Sequence, residues 1–305
     1  MNTIEKAVRK LIILYSEQGL AAFLFLQCDS AYKLVCYFTN WAQARRGALC
    51  PPHLCTHLIY AFANISENEI TTSMERPNRW TFIRSVIEFL KMNKFDGFSL
   101  YWIYPEGKNK GHFTSLIQVQ AVDFLTFDFH GSWQKVTGHV SPFLQGKEDS
   151  KSSSYYNVDY AVRYWRSKGA PAEKLIMGIP TYGRSFALSS SKTGISAPIS
   201  GPGSPGPFTQ EAGLLAYYEI CTFTPGATTE RIVEQEVPYS YKGNQWVGYD
   251  DEQSITTKVQ YLKNNKLGGA MIWAVDLDDF DGLFCSQKKP YPLIGTVTAK
   301  LSSGN

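Results

Sequence analysis

The stretch Phe95–Pro105, FDGFSLYWIYP, reads as a buried strand that ends at a proline and delivers side chains to a site. Alternate residues of a strand share a face, so Ser99, Tyr101 and Ile103 would point the same way. None of the three is a carboxylate. A strand of this kind needs company, and the flanking sequence supplies it. Tyr32–Phe38 (YKLVCYF), His57–Ala63 (HLIYAFA), Val122–Phe129 (VDFLTFDF), Leu175–Pro180 (LIMGIP) and Gly269–Val275 (GAMIWAV) are all apolar runs of strand length. Between them lie helical patterns. Trp80–Met92 carries Ile83, Val86, Ile87 and Leu90 on one face, and Tyr156–Lys168 carries Val158, Ala161, Val162 and Trp165, with Gly169 as its C-cap. Asp251–Asn265 turns Ile255, Val259 and Leu262 inward. Apolar strands alternating with amphipathic helices predict a parallel sheet with helices outside, an α/β fold.

The 305 residues suffice for one large α/β barrel, with 44% apolar residues for its core and 14% aromatic residues that suit stacking on flat ligands. The net charge of +3 is spread along the chain, so no basic block points to nucleic acid or acidic lipid. Residues 185–248 break the alternation. They are rich in Gly, Pro, Ser and Tyr, including SAPISGPGSPGPF, and read as a small α+β insertion of short strands. The barrel is then residues 32–184 and 249–305, and residues 1–31 form a leader. Within that leader GLAAFLFLQ (residues 19–27) is too short to span a membrane but suits a signal peptide cleaved before Tyr32. The alternative is a cytosolic N-terminal helix. Of six cysteines, Cys28 would leave with the leader, and none shows the spacing of a zinc site. No metal, nucleotide or flavin site is expected. Asn64-Ile65-Ser66 is a glycosylation sequon, which matters for a secreted chain.

Several strands end in a polar or aromatic residue just past the apolar run: YFTNW, FDFHGSW, PTYGRSF and IWAVDLDDF. In a (β/α)8 barrel those C-terminal strand ends build the site. Taken together, YKLVCYFTNW, CTHLIYAFANIS, FDGFSLYWIYP, FDFHGSW, MGIPTYGRSF, KGNQWVGYDD and GGAMIWAVDLDDF resemble, in order, the signatures of the family 18 glycoside hydrolases, the chitinases and chitinase-like lectins. The resemblance implies a TIM barrel with an inserted domain. The family's strand motif is DGxDxDxE, whose Glu protonates the glycosidic oxygen while the middle Asp orients the substrate's N-acetyl group, the nucleophile of this substrate-assisted chemistry. This chain keeps Asp96 and Gly97, then places Ser99, Tyr101 and Ile103 where Asp, Asp and Glu are expected. Ile103 has no proton to give, Tyr101 takes up space beside the sugar, and Glu106, beyond Pro105, is a poor substitute. A second motif, MxYD, stands as LTFD, with Leu125 and Phe127 replacing Met and Tyr and Asp128 kept. The implied protein is not an enzyme.

Binding is a separate question, because pyranose rings stack on aromatic faces while their hydroxyls need fixed polar partners. The resemblance places Tyr37, Trp41, Phe62, Trp102, Tyr182 and Trp273 along a sugar groove, Trp273 at its floor, with Asp128 and Arg184 as polar contacts. Asp128 could instead be a buried acid held by backbone N–H groups, and Arg184 a salt bridge within the barrel. The resemblance also pairs Cys36 with Cys55 and Cys221 with Cys285, leaves Cys50 over, and matches Asn64 to a glycosylated position. The implied ligand is a chitin oligosaccharide or related glycan bound by a secreted monomer; a cell-surface or matrix protein is the other class of partner. One count does not close. Eight strands are required and six can be placed, because the segment before Phe95 has room for a single helix and only ten residues separate Phe113 from Phe124. The third and fifth strands are missing, which also leaves open a degenerate product with no carbohydrate function.

Overall fold

The computed structural model describes residues 32–39, 41, 54–61, 84, 86–92, 94–97, 99, 121–149 and 153–303. They fall into two compact units, one holding residues 62–110 and the other residues 31–61 and 111–305. The smaller unit contributes helical residues 84 and 86–92, ended by Lys94 in the left-handed region (φ 58°). The Phe95 N–H donates back to Leu90 O at 3.0 Å, and the Phe95 ring stacks on Phe89 with centroids 6.2 Å apart. Phe95, Asp96, Gly97 and Ser99 are exposed and belong to no strand. For these residues the expected buried strand is corrected: Phe95 closes the preceding helix. Tyr101, Trp102 and Ile103 lie outside the described residues. Ile87 of the expected inward face is exposed, and Ile83 is outside the described set.

The larger unit is built on a five-stranded parallel sheet. Its strands are β1 (Lys33–Thr39), β2 (His57–Ala61), β3 (Val122–Phe124), β4 (Leu175–Pro180) and β11 (Gly269–Trp273), in the spatial order β2-β1-β11-β4-β3. Among the described residues the first and last strands are therefore neighbours, the closure that defines a (β/α) barrel. Among the described residues the arc holds five strands and is incomplete against the eight of a full barrel. The segments in which the third and fifth strands were expected to be missing lie between β2 and β3, almost wholly outside the described residues.

Helices cover the outer face. α1 (Val158–Ser167) starts where the Asn157 side chain accepts from Tyr160 N at 2.8 Å, and Gly169 beyond it has φ 90°, the conformation a helix-ending turn requires. α3 (Glu252–Asn264) is capped by Asp251, whose carboxylate accepts from Ser254 N at 2.7 Å. α4 (Pro292–Ser302) opens on a proline. Leu34, Cys36, Met177, Ile179, Ala270 and Ile272 pack against Ile255, Val259, Leu262, Leu293, Ile294 and Val297 in one buried cluster. That alternation sets the opposite set, Tyr37, Asp123 and Trp273, on the inner face.

Between β4 and α3 runs an antiparallel sheet in the order β6-β5-β10-β9-β8, with β7 on β5. Its strands are β5 (Tyr182–Leu188), β6 (Ile199–Pro202), β7 (Leu214–Ala216), β8 (Thr228–Ile232), β9 (Val237–Lys242) and β10 (Gln245–Gly248), with the short helix α2 (Tyr217–Phe223) after β7. Phe186, Leu188, Ala197, Tyr239 and Trp246 form its own core. Disulfides join Cys36 to Cys55 and Cys221 to Cys285. Cys50, Phe62 and Asn64 lie outside the described residues.

Candidate carbohydrate-binding site

Two clusters occupy the inner face and strand ends of the larger unit. The first joins β1, β3 and β11. The Tyr37 ring lies 5.1 Å from the Trp273 ring, and the Tyr37 hydroxyl donates to Asp123 Oδ2 at 2.9 Å. Burial pushes the Asp123 carboxyl above the usual carboxylate range, and the Tyr37 hydrogen bond only partly offsets this. The peptide bond after Trp273 is cis.

The second cluster depends on how β3 ends. The apolar run continues to Phe129, but the ladder to β4 stops at Phe124, paired with Met177. Beyond it the Thr126 hydroxyl, not a backbone N–H, takes the Gly178 carbonyl at 2.6 Å, and Asp128 adopts a left-handed φ of 57°. The expected Val122–Phe129 strand is thus shortened to three residues. The segment after it is held from outside. Ser141 Oγ donates to Thr126 O at 2.6 Å, and the buried Lys258 ammonium donates to Ser141 O, Ser141 Oγ and both Asp250 oxygens at 2.6–2.8 Å. His139 accepts from Ser141 N through Nδ1 at 3.0 Å, and its Nε2 lies 2.8 Å from Tyr249 O.

So held, Asp128 Oδ1 accepts from Tyr182 Oη at 2.7 Å and from Arg184 Nε at 2.8 Å. Burial alone would lower the Arg184 pKa; the hydrogen bond and charge of Asp128 outweigh it and raise it. Burial and the Asp128 charge hold the Tyr182 hydroxyl well above its ordinary value, so it donates and does not ionise. Phe127 lies over Gly178, where an added Cβ would meet its ring at 2.8 Å; only glycine permits that approach.

Among the residues singled out from sequence, Tyr37 with Trp273 and Asp128 with Tyr182 and Arg184 are brought together. Tyr37 and Tyr182 are buried, at 6% and 3% exposure. They support neighbouring carboxyls rather than present ring faces. Trp41 stands exposed beyond β1. Phe62 and Trp102 are outside the described residues, as are Tyr101 and Ile103, while Asp96 and Ser99 belong to the other compact unit. Two residues were missed. Trp133 is 61% exposed, with the Arg184 guanidinium 5.3 Å from its ring centre. Its signal was present in FDFHGSW, whose last residue it is. Asp123 was legible as the first of two acids inside the apolar run VDFLTFDF. The arrangement offers ring faces at Trp273 and Trp133 and polar groups at Asp123, Asp128 and Arg184, which can grip a neutral polyhydroxylated ligand.

The profile of the Glycosyl hydrolases family 18 matches residues 33–77 and 118–278. The chain belongs to this family. Human chitinase-3-like protein 2 is 43% identical over 377 aligned positions, covering 93% of this chain and 96% of that protein. That span exceeds the 305 residues present, so the relative carries internal segments that this family 18 chain lacks. Chitotriosidase-1 of Mus musculus is 37% identical, over 93% of this chain and 81% of its own. Among solved structures, human YKL-39 superposes with a TM-score of 0.81 at 42% identity, covering 90% of this chain and 100% of that one. It is described as a pseudo-chitinase with retained chitooligosaccharide binding properties.

Proposed function

We propose that this family 18 chain is a secreted, catalytically inactive lectin that binds chitin oligosaccharides. The observation that carries the reading is a contrast. The polar and aromatic groups at the ends of β3, β5 and β11 are assembled around Asp128, Arg184 and Trp273, while the position of the catalytic acid is Ile103. An alkyl side chain supplies no proton, and general acid catalysis is worth about 10²–10⁴-fold by itself. The retained binding of the YKL-39 relative supports the same division between grip and chemistry. Two disulfides suit an oxidising compartment, and among the described residues no helix is long and apolar enough to cross a membrane. In this reading the chain binds the glycan as a monomer, and a cell-surface or matrix protein is its second class of partner.

The test is calorimetric titration of the secreted chain with chitohexaose, alongside release of a fluorogenic aglycone from a chitobioside. Saturable binding without release is the expected result. A folded chain that binds no chitohexaose at millimolar concentration refutes the lectin reading and leaves a protein-binding scaffold; steady release refutes the loss of catalysis.

A further inference from the structure

Helix α1 carries a feature that the groove does not use. Tyr160 and Tyr164 lie four apart on α1, where such residues form one line; Lys168 is its C-cap, and Tyr156 stands just before its N-cap Asn157. The line is solvent-facing: Tyr156, Tyr160 and Tyr164 are 39%, 37% and 50% exposed. Neighbouring rings touch, their planes turned by 85° and 45° around Tyr155 and nearly parallel at Tyr160 and Tyr164. Tyr155 bridges to Tyr156 at 5.4 Å and to Tyr160 at 5.6 Å, and Tyr160 and Tyr164 are nearly parallel with centroids 6.1 Å apart. Lys168 Nζ sits 5.3 Å from the Tyr164 ring centre and closes the row. At its other end Tyr156 meets the edge of His130, which belongs to the same loop as Asp128 and Trp133. The row therefore starts from the wall of the site and runs away from it.

Two exposed tyrosines on a helix, led by two more in the turn before it, are unusual, since helix surfaces ordinarily carry charged or flexible residues. Each ring offers an apolar face and a hydroxyl tip, and the spacing of the rings along the row is close to one sugar unit of an extended β-linked polymer. Such a polymer is uncharged, and so is the row except at its Lys168 end. We propose that this tyrosine row is a second carbohydrate-binding surface, which takes an extended chain of N-acetylglucosamine polymer continuing past the groove. The inference rests on the lectin reading above and deepens it: short oligosaccharides use the groove alone, and long or insoluble chains use both.

The experiment compares wild type with Tyr160→Ala/Tyr164→Ala on two probes, soluble chitohexaose by calorimetry and colloidal chitin by sedimentation. Unchanged chitohexaose affinity with about tenfold weaker retention on chitin is expected, the size of two lost ring contacts. Tyr160→Phe/Tyr164→Phe keeps the rings and should keep retention, which separates stacking from folding. Equal retention of the alanine variant and wild type overturns the proposal, as does equal weakening on both probes. If wild type binds neither probe, the lectin reading itself falls and this inference with it.

Discussion

His139 gives the sharpest test of how the site is held. It is fully buried between the segment carrying Asp128 and the end of β10, accepting from Ser141 N and facing Tyr249 O. That pattern fits only the neutral ring, with the proton on Nε2. Burial is the main reason its pKa falls from 6.5 to about 3; the nearby Lys258 charge adds to the effect and the Tyr249 hydrogen bond opposes it. A depressed folded value means that the native state resists protonation while the unfolded chain does not. The stability is complete above the unfolded value of 6.5 and drains away as pH falls toward 3. Between pH 7 and pH 4 the loss is about 3 kcal/mol. Against the roughly 5–15 kcal/mol that holds a typical fold, that is a large share, equivalent to about 5–10 °C in Tm. The assay is urea unfolding at half-unit pH steps for wild type and His139→Gln. Glutamine keeps a donor toward Tyr249 and carries no titrating proton. The variant starts lower at pH 7, having lost the acceptor for Ser141, but its curve is flatter. If the two curves run parallel from pH 7 to pH 4, His139 is not the titrating group and the assigned burial is wrong.

Other outcomes follow from the same geometry. Lys258→Met leaves the buried Asp250 carboxylate without its cation and costs about 3–5 kcal/mol; Lys258→Met/Asp250→Asn recovers most of it, as measured by chemical denaturation. Cys221→Ala/Cys285→Ala opens a loop with a sequence separation of 64 and lowers stability by about 4 kcal/mol in the chain-entropy account, read from Tm under matched conditions. Trp273→Ala removes the ring beside Tyr37 and weakens chitohexaose binding about tenfold at unchanged fold, whereas Tyr37→Phe deletes only the hydrogen bond to Asp123 and changes affinity less.

The parallel arc was legible because its strands are mostly apolar, and a run such as LIMGIP, buried at every residue, has little alternative. That the described arc holds fewer than eight strands agrees with the simple length count. What could not be read was where a strand stops being a strand. VDFLTFDF looks uniform, yet its ladder ends at Phe124 because a threonine hydroxyl replaces a backbone donor and Asp128 turns left-handed. The surroundings of Tyr37 and Tyr182 were hidden in a related way. An aromatic at a strand end looks like a stacking face, and only packing shows that these two are buried and that their hydroxyls act on Asp123 and Asp128. Trp133 was overlooked because it follows a loop rather than a strand. FDGFSLYWIYP matches a strand by composition, but its first residues serve as the end of the helix before it.

β11 is made last and sits in the middle. Its ladders hold β1 on one side and β4 on the other, so among the described strands every path from the N-terminal half of the arc to the C-terminal half runs through five residues near the end of the chain. Contacts this distant in sequence form late, after a large loop has closed. During synthesis β1 and β2 have each other but no sheet to join, and their apolar surfaces stay open until Gly269–Trp273 leaves the ribosome. A stop codon upstream of β11 would not trim an edge. It would cut the arc into two pairs, β2 with β1 and β4 with β3, and each pair would face the cell as an unfinished sheet.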